Sequence, residues 1–354
     1  MLNYKKEIEE LVALVVSKNA SDLHISAFRH PIVRVSGQLT PLINRPVFSP
    51  EDSLNLCLEF LDDKLKKEFL ETKELDFAYS SKGGHRFRGN AYFQKGFVSV
   101  ALRFIPKDIK TLAELNLPPI LADFSKKKQG FFLVVGPVGQ GKSTTLASMI
   151  NIINKERAEH MLTIEDPMEY LFKEEKSIID QREVRFDTDN FHAALKSMFR
   201  QDINVAMIGE MRDAETIGAA VTAAETGHLI LSTLHTNNAA QTIDRIIDSF
   251  PAEQQGQIKL QLAGTLLGIF SQRLIPKKGG DRIPAYELLI NNNAVANLIR
   301  EGRTNEINVV LETSSAEGMV DMNQSLAQLV RAGDVDFEDA VKYSFNPKEL
   351  EKLL

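Results

Sequence analysis

A chain of 354 residues, 43% hydrophobic and 25% charged, is long enough for two domains with real cores. Its formal net charge of −6 argues against a general nucleic-acid coat, and no stretch approaches the roughly 20 apolar residues of a membrane span. The charged start MLNYKKEIEE does not read as a secretory signal, so the chain is expected in the cytoplasm. The one cysteine, Cys57, lies in the apolar pattern LNLCLEFL and is expected in a core, which excludes a disulfide or a cysteine zinc cage within one chain.

Between Tyr4 and Lys18, the apolar residues Ile8, Leu11, Leu14 and Val15 recur at helical spacing and predict an amphipathic helix. The short apolar segments LHIS and IVRVSG follow, and Ser49-Pro50-Glu51-Asp52 then opens a helix expected to run to about Glu71. Leu75 to Tyr79, the turn Ser81-Lys82-Gly83-Gly84, and the segments HRFRGNAYF and FVSVALRFI read as an antiparallel meander. Residues 1–106 are therefore expected to form a small α+β domain. The proline-bounded stretch PKDIKTLAELNLPP reads as a linker, 107–118, carrying one helical turn. From 119 to 354 apolar strands alternate with helical patterns: FFLVVG, a helix to about Asn154, HMLTIED, a helix near Phe191 to Phe199, VAMIGE, a helix from Ala214 to Glu225, and HLILSTLH. That alternation predicts a mostly parallel sheet wrapped by helices, with the strand ends forming the active-site rim. Beyond Ala252 the pattern is mainly helical, apart from the strand-like AYELLI.

The stretch FFLVVGPVGQGKSTT, from Phe131 to Thr145, organises the whole. Gly136, Gly141, Lys142 and Ser143 satisfy the pattern Gly-x4-Gly-Lys-Ser, in which backbone N–H groups curl around a polyphosphate with no side chains in the way. Residues Gly136, Pro137, Val138, Gly139, Gln140, Gly141, Lys142, Ser143 and Thr144 are the expected nucleotide-binding loop. Lys142 reaches the phosphates as a point charge, Ser143 ligates Mg²⁺, and the helix that begins there points its positive end at the anion.

Acidic residues stand where apolar strands end. Glu165 and Asp166 follow MLTI, and Glu210 follows VAMIG; at such a site one carboxylate holds Mg²⁺ while another orients the attacking water. The plainer alternative makes Asp166 and Asp213 caps of the helices that follow. The position where an aspartate usually ends the second nucleotide motif holds Gly209, so Glu165 or Asp166 is expected to serve the metal. His228 and His235 bracket LILSTL; alternation puts them on opposite faces, which argues against a shared metal site. His228 reads equally as a satisfied structural group or as a partner of a phosphate or a catalytic carboxylate. Arg86, Arg88 and Arg103 lie on strands of the small domain, where arginines either form a solvated face or lend charge to phosphates, from the same chain or a neighbour.

The chain resembles the type II/IV secretion ATPases, and within them the pilus-retraction ATPases of the PilT group. The resemblance covers nearly the whole length and rests on SDLHIS, RFRGNAYF, GPVGQGKSTT, TIEDPMEY, QREV, GEMRDAETI, TGHLILSTLHT and AVANLIREG in combination. It implies an α/β protein with a PAS-like N-terminal domain and a RecA-like P-loop ATPase domain whose C-terminal part is helical. A homohexamer is implied, using ATP and Mg²⁺, with an inner-membrane pilus platform protein as partner, a paralogous retraction ATPase as a further one, and no nucleic acid. The location implied is cytoplasmic and peripheral, at the inner face of the cell membrane. By position it implies Glu165 in an Asp box, Glu210 in an atypical Walker B, His228 and His235 in a His box, and Arg88 and Arg103 acting in trans. Catalysis would then fall to Glu210, Glu165, His228, Arg88 and Arg103, with Ser143 and Glu165 at the metal. Val138 and Gln140 depart from small polar residues, RQDINV lacks a proline, and AVANLIRE differs at two places from the retraction motif Ala-Ile-Arg-Asn-Leu-Ile-Arg-Glu, which leaves a PilU-like paralogue open. The missing tetracysteine cluster and the short N-terminus point away from the extension and type II secretion members. A ring that only scaffolds an active paralogue is the alternative function.

AVANLIREG is expected to form a short amphipathic helix, with Val295, Leu298 and Ile299 toward the domain and Asn297, Arg300 and Glu301 outward.

Overall fold

The structure, a computed structural model, describes residues 2–35, 37–106 and 108–354. The chain divides into two compact units, Met1–Asp108 with Glu169–Leu171, and Ile109–Met168 with Phe172–Leu354. The expected linker, 107–118, starts at Lys107, which lies outside the described residues.

In the first unit the strands β1 (Asp22–Ser26), β2 (Ile32–Val35), β3 (Gln38–Pro41), β4 (Glu74–Ser80), β5 (Arg86–Gln94) and β6 (Phe97–Ile105) form, among the described residues, a six-stranded sheet in the order β3-β2-β1-β6-β5-β4. Every pairing in it is antiparallel. Period-two alternation gives the sheet two different faces. Leu23, Ile25, Val33, Phe77, Phe87, Val100 and Leu102 are buried with Leu11, Val15, Leu56 and Cys57 from two helices. Burial there pushes the Cys57 thiol up to about 12, as suits an inert core cysteine.

Those helices are Tyr4–Ser17, where Asn3 caps by accepting from Lys6 N, and Pro50–Glu59, opened by a reciprocal Ser49–Asp52 capping box. The single helix expected from Ser49 to Glu71 is two. A second helix, Asp63–Thr72, starts afresh because Asp62 Oδ1 accepts from both Lys64 N and Leu65 N, each at 2.9 Å.

The second unit holds β7 (Gly130–Val135), β8 (His160–Glu165), β9 (Ile178–Glu183), β10 (Val205–Ile208), β11 (Leu229–Leu234), β12 (Leu266–Pro276) and β13 (Arg282–Ile290). Among the described residues they make a seven-stranded sheet in the order β13-β12-β7-β11-β10-β8-β9. All neighbours are parallel except β12 and β13. β7, an interior strand, is buried on both faces: Phe131, Leu133 and Val135 join one core, and Phe132 and Val134 join another with Met149, Ile150 and Ile153 of the helix Lys142–Glu156. Helices cover both faces, as βα alternation requires.

Two strands escape the sequence patterns. β9, IIDQRE, lies at the sheet edge and carries charged residues in place of an apolar run. β12 lies in a stretch expected to be mainly helical, and the helix Ala252–Thr265 runs directly into it. Nearly every residue of β12 is buried, so its composition lacks the alternation that distinguishes a strand from a buried helix. The expected strand AYELLI is the core of β13. Its helical successors include Asn293–Glu301, Met322–Arg331 and Phe337–Tyr343.

Candidate nucleotide site at the strand ends

Parallel register brings the ends of β12, β7, β11, β10 and β8 to one edge of the sheet. Val135 pairs with Leu234 and with Ser271, while Ile208 pairs with both Ser232 and Ile164. The residues just beyond, Gly136, His235, Gly209 with Glu210, and Glu165, therefore gather at that edge.

The loop Gly136–Gly141 leads into the helix Lys142–Glu156, whose N-cap, Gly141, has φ +81°. No side chain caps that helix among the described residues, and its positive end lies at the loop. Val138 is 80% exposed. Gly136 has φ +147°, and a Cβ there would lie 2.5 Å from Gln272 O, so both conformation and space exclude a side chain.

Gln272 of β12 braces the loop from below. Its Nε2 donates to Gln140 O at 2.9 Å and its Oε1 accepts from Thr145 Oγ1 at 2.7 Å. The Gln140 side chain also belongs to this brace, since its Oε1 accepts from Leu274 N at 2.6 Å. Gln140 thus looks inward to β12. Sequence reasoning missed Gln272, which carries no local signal because its strand was itself hidden.

Lys142 is buried, and its Nζ donates to Gly136 O at 2.8 Å and to Pro137 O at 2.9 Å. His235 Nδ1 lies 3.2 Å from the same Nζ. Across the ring, His235 Nε2 is 3.5 Å from Glu210 Oε2, and Arg212 pairs with Glu210 Oε1. Burial, then the Lys142 charge, lowers the His235 pKa below its ordinary 6.5, against a smaller opposing pull from Glu210. The imidazole is therefore neutral near pH 7. Glu165, only 4% exposed, accepts from Thr163 Oγ1 at 2.8 Å. Gly209 lets its backbone lie close against that of Ile164 and Glu165, since a Cβ at 209 would lie 3.3 Å from Ile164 O and 3.4 Å from Glu165 Cα.

Other expectations fare differently. Asp213 does cap a helix, Ala214–Glu225, accepting from Thr216 N at 2.8 Å. Asp166 caps none: among the described residues the segment after it is irregular as far as β9. His228 stands apart from the other site residues of its own chain. It precedes β11, where Gly130 N donates to its carbonyl, at the opposite sheet edge from His235. The six residues of β11 put roughly 20 Å between those edges. The His228 ring instead satisfies itself locally, with Nδ1 3.0 Å from Ala223 O and its edge against Phe199.

In the first unit, register places Arg34, Asp22, Arg103 and Arg88 in one row across β2, β1, β6 and β5. Asp22 is buried, and its carboxylate accepts from Arg103 Nε at 2.9 Å while lying 3.7 Å from Arg34 Nε. One acid thus pairs with two of the three arginines in the row, Arg34 and Arg103.

A glycine loop opening a helix after an interior strand, a buried lysine at its mouth, and two carboxylates on neighbouring strand ends define a P-loop nucleotide-binding α/β protein. Residues 99–343 match the family model described as type II/IV secretion system protein. The type IV pilus ATPase PilU of Pseudomonas aeruginosa is 41% identical over 349 residues, spanning 98% of this chain and 91% of that protein. The type IV pilus retractation ATPase PilT of the same organism is 41% identical over 334 residues, 94% of this chain and 97% of that one. The crystal structure of the pilus retraction motor PilT with bound ADP matches at a TM-score of 0.92 and 44% identity, covering 98% of this chain and 99% of that chain. The chain belongs to the type II/IV secretion system protein family, as one of its ATPases. Among the described residues no helix is long and apolar enough to cross a membrane.

Proposed function

We propose that this chain is the ATP-hydrolysing subunit of a hexameric motor that powers type IV pilus retraction, working from the cytoplasmic face of the membrane against a pilus platform protein. The observation that carries the reading is the meeting of Lys142, His235 and Glu210 beside the glycine loop, on a chain that matches an ADP-bound retraction motor over nearly its full length.

The loop from Gly136 to Thr144 holds the phosphates through backbone N–H groups, and Lys142 supplies the counter-charge. Ser143 and Glu165 are the oxygen donors suited to Mg²⁺ carried in with ATP; among the described residues no cluster of His, Cys, Asp or Glu is arranged to hold a metal by itself. Bound Mg²⁺ neutralises charge on the phosphates. Glu210 accepts the proton of the attacking water, and neutral His235 keeps Lys142 and Glu210 in register. Arg88 and Arg103 act on the nucleotide of the neighbouring subunit, a reading supported by their shared row on a polar sheet face. His228 has a structural role within its own chain, supported by its bond to Ala223 O.

A second reading is a ring that binds nucleotide and assists an active paralogue; the equal identity to PilU and PilT does not separate it from the first. Steady-state ATP turnover of the purified protein separates the two: a motor hydrolyses ATP without its paralogue, and Lys142→Ala abolishes it. Deleting the gene should leave cells with surface pili that do not retract. Bald cells with unassembled pilins would instead identify an extension motor.

A further inference from the structure

Alternate residues of β12 turn to different parts of the site. Gln272 faces the phosphate loop, whereas Ser271 and Arg273, on either side of it, both reach the segment after β11. Ser271 Oγ donates to Asn237 O at 2.8 Å, and Arg273 Nη2 donates to the same carbonyl at 2.9 Å and to Asn237 Oδ1 at 3.1 Å. Two residues on, Ala239 N donates to Glu287 Oε1 of β13 at 2.7 Å. The β12–β13 hairpin therefore grips residues 237 and 239, immediately after His235.

Arg273 is only 6% exposed. Its other guanidinium nitrogen, Nη1, donates to Gln272 O at 3.1 Å, and the group lies over the Phe345 ring at 5.8 Å. Burying a guanidinium is costly and is repaid only where its donors are met in good geometry. The guanidinium meets that demand by spanning two elements: Nη2 holds both the carbonyl and the side-chain oxygen of Asn237, while Nη1 holds the carbonyl of Gln272.

We propose that Arg273, with Ser271, is a positioning residue for catalysis, holding Asn237 so that His235 stays between Lys142 and Glu210. This rests on the role given to His235 above. Misplacing a reacting group by about 1 Å costs up to ~100-fold in rate, so removal of the fork should act on turnover and spare nucleotide binding.

The test is a double-mutant cycle on the full-length protein, reading kcat and KM for ATP together with affinity for a fluorescent ADP analogue. Arg273→Met should lower kcat by about 10- to 100-fold, with KM and ADP affinity held within about threefold, and Arg273→Lys should recover part of the loss. In a His235→Ala background, Arg273→Met should cost nothing further. Ser271→Ala removes one bond from the same carbonyl and should give a smaller loss, again absent in that background; it serves where Arg273→Met fails to fold. Losses that multiply across the cycle would overturn the positioning role while leaving the ATPase reading intact. A His235→Ala protein with undiminished kcat would overturn both the role of His235 and the proposal built on it.

Discussion

The ammonium of Lys142 and Nδ1 of His235 lie 3.2 Å apart although 93 positions separate them in the chain. Lys142 can only donate, so it meets an unprotonated Nδ1, and the ring proton then sits on Nε2, toward Glu210. One imidazole thus joins the phosphate-binding lysine to the carboxylate proposed as base.

Lys142→Ala and Glu210→Gln should fail in different ways. The first removes the charge that meets the phosphates, so nucleotide affinity and turnover fall together. The second keeps shape and hydrogen bonding but cannot take a proton, so ATP should bind near normally while kcat drops by about 10²- to 10⁴-fold. Binding of a fluorescent nucleotide alongside steady-state turnover reads both. If Glu165→Gln instead shows the second pattern and Glu210→Gln turns over normally, the two carboxylates exchange roles.

Acid should inactivate the enzyme through His235. Its pKa is depressed, first by burial and then by Lys142, so the folded site favours the neutral ring. The sign follows: this group's contribution to stability is present above the ordinary value of 6.5 and is lost as pH falls below it toward the folded pKa. A pH profile of kcat should therefore show an acid limb below that ordinary value, which His235→Asn removes while lowering the plateau.

Glu287 should act in the opposite sense. Burial raises its pKa from 4.5 to about 7, against the pull of its bond from Ala239 N and of Arg273. A raised carboxyl contributes stability below its ordinary value, lost as pH rises through about 7. Melting temperatures across that range should fall less in Glu287→Gln, whose amide oxygen still accepts from Ala239 N.

Arg88 should work across a subunit boundary. Rings assembled from an Arg88→Ala chain and a Lys142→Ala chain place some intact arginines against intact loops, and should regain a fraction of the wild-type ATPase rate. Mixed rings no more active than the average of the two parents would assign Arg88 to its own chain.

The helix Asn293–Glu301 should couple hydrolysis to movement. Val295 and Ile299 are fully buried and Leu298 packs partly against the same core, as its spacing predicts. The outward residues have surface partners: Arg300 donates to Asn297 Oδ1, and Glu301 pairs with Arg303. Arg300→Ala with Glu301→Ala should therefore keep ATP turnover and assembly within about twofold, since exposed pairs contribute little. Cells carrying it should accumulate pili that do not retract, visible by electron microscopy.

Much of this protein is written locally. Gly-x4-Gly-Lys-Ser after an apolar strand announces the loop because its chemistry needs adjacent backbone N–H groups, and the amphipathic helices declare themselves because their period matches one buried face. Glu165 and Glu210 were legible as strand ends for the same reason. The tertiary structure alone decided which groups meet them. His228 and His235 flank one strand, and sequence reasoning counts His228, not His235, among the catalytic residues; parallel register sends His235 to Lys142 and leaves His228 at the far edge. Gln272 and Arg273 were invisible, because β12 is buried on nearly every side and so has no period to betray it. Asp22 reads as one acid in SDLHIS until the sheet aligns it between Arg34 and Arg103. Residues that act through their neighbours along the chain leave a local pattern, whereas those that act across strands acquire their partners from register, which no single stretch of sequence contains.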